Sequence, residues 1–235
     1  MIADIVPSWI ATAHAWGDTV VPLYAEEQVA VQIAVEQRKH EFATVRHCAR
    51  TALAALGHPP VPLVPAADRS PRWPDGIVGS MTHCDGYRAA AVARSSEAVA
   101  VGIDAEPNEP LPDGLLRLIA VPAETPRLAM LARIHPGMCW DRLTFSAKES
   151  IYKAWYPIMG RWLGFDDAAL TFDPRGRTFV ATLRTAMHLD DRPCTRLTGR
   201  WAVARGVLAT SVVIAPTRSD RLTDTSSSDP LPEPA

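Results

Sequence analysis

The sequence predicts an α+β protein made of two lobes of similar order. Three observations carry that prediction. A long helical period near the start gives way to short strands, a second succession of helix and strands follows, and the two meet near Gly102. The resulting boundaries are 1–102 for the first lobe, 103–215 for the second and 216–235 for a tail. A chain of 235 residues can bury a core in each lobe. With 47% hydrophobic and 21% charged residues and a formal charge of -2, it is neither disordered nor a coiled coil nor a strongly basic nucleic-acid binder. No apolar run reaches the roughly eighteen residues of a membrane span. The uncharged stretch from Ile5 to Gly17 carries Pro7, Ser8, Thr12 and His14 behind an acid, unlike a secretory leader. Cys48, Cys84, Cys139 and Cys194 lie far apart, so reduced thiols in a cytoplasm are expected.

The elements follow in order. From Ala25 to Leu56 the residues Val31, Val35, Phe42, Val45, Ala49, Ala52 and Leu56 keep a helical period with one gap, at Arg38. Gly57 and the following prolines stop that helix, and the proline-rich stretch to Asp75 reads as an extended surface crossing. Ile77–Met81 and Arg88–Ala93 read as strands. A turn at Ser95-Ser96-Glu97 leads to a strand in which Val99, Val101 and Ile103 alternate with Ala100 and Gly102. Prolines 107, 110 and 112 end it. A modest helix is expected over Arg127–Ile134 and a stronger one from Ser146 to Ile158, with Ile151, Ala154, Trp155 and Ile158 on one side. Two hairpins close the lobe: Leu170–Phe172 with Thr178–Leu183, and Arg200–Ala204 with Val207–Ile214. From Pro216 the Ser/Thr/Asp/Pro composition cannot bury enough apolar surface to order itself.

Four features could carry chemistry. In Gly102-Ile103-Asp104-Ala105-Glu106 the alternation of a strand sends both acids to one face. Two carboxylates that close suit magnesium, although a strand end dipping its acids into water would look the same. In Phe145–Trp155, Ser146, Glu149 and Lys153 share a helix face; a capping box with an ion pair one turn apart explains them as well as a metal-and-phosphate site does. Ser80, Thr82 and His83 close a strand where small hydroxyls and an imidazole could cradle a phosphate or simply be structural. His83 and Cys84 are strand neighbours on opposite faces and make no nucleophile pair. Arg38 interrupts the apolar stripe of the first helix with Arg46 two turns later; it either awaits an anion, snorkels, or marks a helix break near Gln37. No Walker or dinucleotide-binding glycine motif is present.

Taken together and in this order, the pieces resemble the Sfp/EntD-type 4'-phosphopantetheinyl transferases, actinobacterial members in particular. The G-I-D-x-E strand and F-S-x-K-E-(A/S)-x-x-K helix of that family appear as Gly102–Glu106 and Phe145–Lys153. The block from Trp73 to Cys84 looks like its W-P-x-G…G-S-x-(T/S)-H motif, and Arg38–Arg50 looks like its R-x-x-E-F…R helix. The resemblance covers roughly residues 25–215. It implies a pseudo-two-fold pair of similar α/β lobes with the active site in the cleft between them. The implied reaction moves the phosphopantetheine arm of coenzyme A to a serine of an acyl, aryl or peptidyl carrier protein of fatty acid, polyketide, nonribosomal peptide or siderophore synthesis. Asp104, Glu106 and Glu149 would hold magnesium, with manganese as a substitute, and Asp104 would adjoin the cofactor. Glu149 would also deprotonate the serine. Lys153 and Lys148 would neutralise the phosphates; Arg38, Arg46 and Arg69 would grip the 3'-phosphate; His83 would contact a phosphate, and Ser80 and Thr82 would line that wall. The basic position that many members fill with Lys near Pro71 falls here among Arg69, Ser70 and Arg72. A cytoplasmic monomer with no nucleic-acid or membrane partner is implied. The competing readings are a non-catalytic coenzyme A-binding protein, against which the three acids and Lys153 argue, and a magnesium-dependent phosphohydrolase.

Overall fold

In the computed structural model, which describes residues 1–189 and 192–216, two antiparallel sheets each carry one long helix. The first sheet has three strands in the order β1 (Ala11–Trp16), β3 (Tyr87–Arg94), β2 (Ile77–Cys84). The second has five: β4 (Ala100–Pro107), β8 (Val207–Ile214), β7 (Arg192–Ala204), β6 (Thr178–Leu189), β5 (Ala168–Asp173). Helix α2 (Glu36–Ala55) packs on the first sheet and α5 (Trp140–Met159) on the second. Each half is therefore a helix laid on a hairpin-rich sheet, the α+β arrangement expected, but the halves are unequal, with three strands against five. The position of Gly102 falls inside β4. None of the helices described is long and apolar enough to cross a membrane.

The helical period of 25–56 is interrupted. It forms α1 (Ala25–Ala30) and α2, separated by a turn that ends at Val35, so Val35 is exposed rather than part of the stripe. No proline or glycine marks this break. Glu27 fixes it from below: fully buried, it accepts from Arg50 Nη1 and from the Leu63 amide at 2.8 Å each, and from the Tyr24 amide at 3.1 Å. That pairing gives a buried carboxylate the donors it needs.

Helix α5 starts at Trp140, ahead of the expected Ser146, because Trp140, Leu143 and Ala147 extend the apolar side that Ile151, Ala154 and Trp155 continue. Ser146 is therefore no helix cap. It is buried mid-helix, its hydroxyl 2.9 Å from that of Thr210 on β8. At the other end Gly160 adopts a left-handed conformation (φ 61°) and its amide bonds back to Tyr156, which terminates the helix. Helix and sheet approach closely at Gly102, where a Cβ would lie 2.0 Å from the Ser150 carbonyl oxygen. Only glycine fits there.

The last four strands form a meander, and β6 and β7 run beyond the lengths expected from their turns. The first residues, which carry no motif, fill the seam between the sheets. Ile2, Ile5, Val6 and Ile10 pack with Tyr87, Ala89 and Ala91 of one sheet and Val101, Ile103, Ala105 and Ala209 of the other. The tail from 217 lies outside the described residues.

Candidate active site

Strands β2 and β4 run side by side where the two halves meet, joined by side chains rather than by a backbone ladder. Ser80 Oγ accepts the Ile103 amide at 3.1 Å and Thr82 Oγ1 accepts the Ala105 amide at 3.0 Å. Above them opens a cleft of ≈ 1040 Å³ lined from α2, β2, α5 and the loop between Pro65 and Trp73. Arg38, Arg46, Arg69, Ser80, Thr82, His83 and Lys153 all contribute to its wall. Trp73 holds the start of β2 in place through its indole N–H, which donates to the Gly79 carbonyl at 3.0 Å.

The basic groups sit differently from what the periodicity suggests. Arg38 is not on a buried face; its side chain is 46% exposed and bonds Glu41 at 3.2 Å and the His83 ring. Arg46 is the buried one. Its guanidinium lies 3.3 Å from the centroid of the Phe42 ring, Nε donates to the Leu63 carbonyl, and burial lowers its pKa to about 10. Burial and the Arg38 charge hold His83 down at about 4, so the imidazole is neutral at physiological pH. Arg69 sits in the cleft wall with a left-handed backbone, φ 69°. Ser80 and Thr82 are in the wall as expected, but their oxygens are already engaged by β4.

The three acids adjoin this wall through Thr82 and Lys153. Asp104 Oδ1 accepts from Lys153 Nζ at 2.7 Å and from Thr82 Oγ1 at 3.3 Å, while its Oδ2 is buried with no donor among the described residues. Glu106 accepts from Arg142 Nη1 at 3.1 Å; burial first and the Asp104 charge second push its carboxyl up to about 7. Glu149 is raised too, by burial and then by Asp104. Among the described residues no three His, Cys, Asp or Glu side chains form a ready-made cage. The donor set nonetheless fits a divalent cation: hard oxygens, one orphaned and buried, with two neighbouring carboxyls whose ionisation like charge opposes.

Lys148 is the expected site residue that the structure places elsewhere. It faces away from the acids, with its side chain 2% exposed, and donates to the Ile119 and Phe165 carbonyls at 2.7 Å each and to Glu124 at 3.0 Å. A single sequence cannot tell which side of α5 a lone lysine faces when both sides are buried. Arg142 and Tyr152 join the site without a signal of their own in the sequence, and Glu41, the acid of the R-x-x-E-F motif, joins it by bonding Arg38. Arg142 stands two turns before Glu149 on α5, a spacing that only the earlier helix start reveals.

Comparison with known proteins bears on most of the chain. The model of the 4'-phosphopantetheinyl transferase N-terminal domain matches residues 26–93, and that of the 4'-phosphopantetheinyl transferase superfamily matches residues 100–204. The chain belongs to the 4'-phosphopantetheinyl transferase superfamily. It is 51% identical over 220 residues to the 4'-phosphopantetheinyl transferase Svp of Streptomyces mobaraensis, covering 92% of this chain and 89% of the relative. Identity to PptT of Mycobacterium tuberculosis is 43% over 225 residues, covering 91% and 98%. Npt of Nocardia iowensis is 40% identical over 226 residues, covering 92% and 100%. The protein is thus a phosphopantetheinyl transferase, and the non-catalytic and hydrolytic readings are not favoured.

Proposed function

We propose that this phosphopantetheinyl transferase takes the arm of coenzyme A to a serine of an acyl, aryl or peptidyl carrier protein and releases adenosine 3',5'-bisphosphate. The observation that carries the reading is the meeting of two chemistries at one seam. A cleft with Arg38, Arg46, Arg69 and His83 in its wall runs to Lys153, which bridges it to Asp104, one of the three acids. The cationic wall suits the phosphates of coenzyme A. Asp104, Glu106 and Glu149 would hold magnesium, which when bound offsets charge on the pyrophosphate.

The chain's own groups then have separate tasks. Arg38, half exposed at the mouth, and Arg46, deeper, orient the 3'-phosphate end. Neutral His83 donates one hydrogen bond without adding charge. The serine oxygen forms a bond to phosphorus as the bridging phosphorus–oxygen bond breaks, and the serine proton passes to Glu149, directly or through a water. A carboxylate with raised proton affinity suits that role. Lys153 stays beside Asp104 and neutralises charge on the departing phosphate. The four cysteines are unpaired, which suits work in a reducing cytoplasm.

The test is intact-mass spectrometry of apo carrier proteins incubated with the enzyme, magnesium and coenzyme A. A gain of one phosphopantetheine on the carrier with stoichiometric adenosine 3',5'-bisphosphate supports the reading. Release of that product at the same rate without carrier would mean hydrolysis instead.

A further inference from the structure

Lys148 and Glu124 form a knot in which every strong donor and acceptor is used. All three ammonium hydrogens are taken: by Ile119, where α3 (Leu116–Ile119) ends, by Phe165, and by Glu124, which precedes α4 (Thr125–Ile134). Glu124 also accepts the Val121 amide on Oε2 and the Leu170 amide of β5 on Oε1, each at 2.6 Å. Segments far apart along the chain converge on one buried charge pair.

A buried ion pair is a poor way to gain stability, because desolvating both ions offsets most of their attraction. What it does well is fix geometry. Successive residues of a helix are about 100° apart, so a fixed direction for Lys148 fixes the direction of Glu149. Glu149 is one of the acids of the site, and Lys153, further along the same helix, holds Asp104. From the other side of α5, Ser146 is tied to β8 through Thr210. The Phe165 carbonyl that Lys148 holds belongs to the segment whose Phe165 ring packs 5.9 Å from Phe145 and whose Trp162 packs 4.8 Å from Tyr152 of the cleft wall.

We infer that Lys148 and Glu124 are positioning residues: their buried pair sets the rotation of α5 and thereby aims Glu149 at the divalent-cation site beside Asp104. The inference rests on the reading that Asp104, Glu106 and Glu149 hold a divalent cation. It replaces the phosphate contact that the family motif suggests for Lys148.

Three variants test it: Lys148→Met, Glu124→Gln and the double variant Lys148→Met/Glu124→Leu, which removes both charges and strands neither. Each is assayed for folding by thermal melting, for kcat and coenzyme A KM by carrier-modification kinetics, and for manganese affinity by calorimetry without coenzyme A. The double variant should melt cooperatively, yet lose about tenfold in both kcat and manganese affinity, the scale of losing an outer-shell partner, with coenzyme A KM within about twofold of wild type. Glu124→Gln should show the same split. A folded double variant with wild-type kcat and manganese affinity would reduce the knot to packing and overturn the inference. Raised coenzyme A KM in Lys148→Met beside a normal Glu124→Gln would restore the phosphate contact and overturn it too. If the double variant does not fold, Glu124→Gln decides alone, and normal kcat and manganese affinity in it overturn the proposal. Wild-type enzyme that binds manganese but modifies no carrier would instead indict the function, not the knot.

Discussion

Helix α5 carries two lysine–carboxylate pairs that differ in how completely they are satisfied. At Lys148–Glu124 both groups are buried and every oxygen and hydrogen has a partner. At Lys153–Asp104 the lysine is 29% exposed, and one carboxylate oxygen is buried with no donor among the described residues. A native fold rarely leaves a buried oxygen unpartnered, since the missing hydrogen bond costs about 1–3 kcal/mol. The closed pair belongs to the architecture. The open pair, beside Glu106 and Glu149, is the one with a place for something not in the chain.

The largest effect should come from attacking the open side. Glu149→Gln keeps the side chain's shape but removes a charge that the metal and the serine proton both need, so carrier modification should fall about a hundredfold or more with folding intact. Near wild-type kinetics in that variant would erase the distinction between the two pairs. The Glu149→Gln protein should also melt no lower than wild type without metal, because the substitution relieves the repulsion from Asp104 that helps raise the Glu149 pKa.

A second variant sharpens the comparison within the cleft wall, where Arg38 stands exposed and Arg46 buried. Because Arg38 does not interrupt the buried stripe, Arg38→Leu should bring no gain in melting temperature. If the guanidinium grips the 3'-phosphate, the change should weaken coenzyme A binding by about 1.5–3 kcal/mol and spare dephospho-coenzyme A, which lacks that phosphate. Calorimetry on both ligands checks it. Equal losses for the two would take Arg38 out of the phosphate contact.

What is legible in the sequence is what depends on neighbours in the chain. The hairpin turns at Asp173–Gly176 and Arg205–Gly206 announce their strands, and the strand alternation puts Asp104 and Glu106 on one face. The α1–α2 break stays hidden because its cause is distant: Glu27 bonds Leu63 and Arg50, and no local glycine or proline signals it. The seam-filling role of Ile2, Ile5, Val6 and Ile10 stays hidden for the same reason, since their partners lie on two sheets far along the chain. Lys148 misleads because the K-E pair is adjacent in sequence while its two members point to opposite surroundings. The open pair is legible from its motif, the closed one only from its contacts.

The smallest expected effect is on stability as a function of pH, and it separates the two pairs without measuring catalysis. Glu106 holds its proton up to about 7 in the folded protein, against about 4.5 for an ordinary glutamate. A raised folded value means the native state binds the proton more tightly than the unfolded chain does. This contribution to stability is therefore complete below about pH 4.5 and is lost as pH rises through 7. Glu149 is shifted in the same direction and adds to the slope. Without metal, the melting temperature should decline over that window more steeply in wild type than in Glu106→Gln. Saturating magnesium should reverse the trend above neutrality, because a cation among the carboxylates favours their ionised forms. The closed pair lies apart from these carboxyls, so Glu124→Gln should leave the metal-free pH slope as in wild type, whatever it does to the absolute melting temperature, while its weaker hold on the cation should shrink the magnesium response. A Glu106→Gln slope equal to that of wild type would place the strain elsewhere than at Glu106.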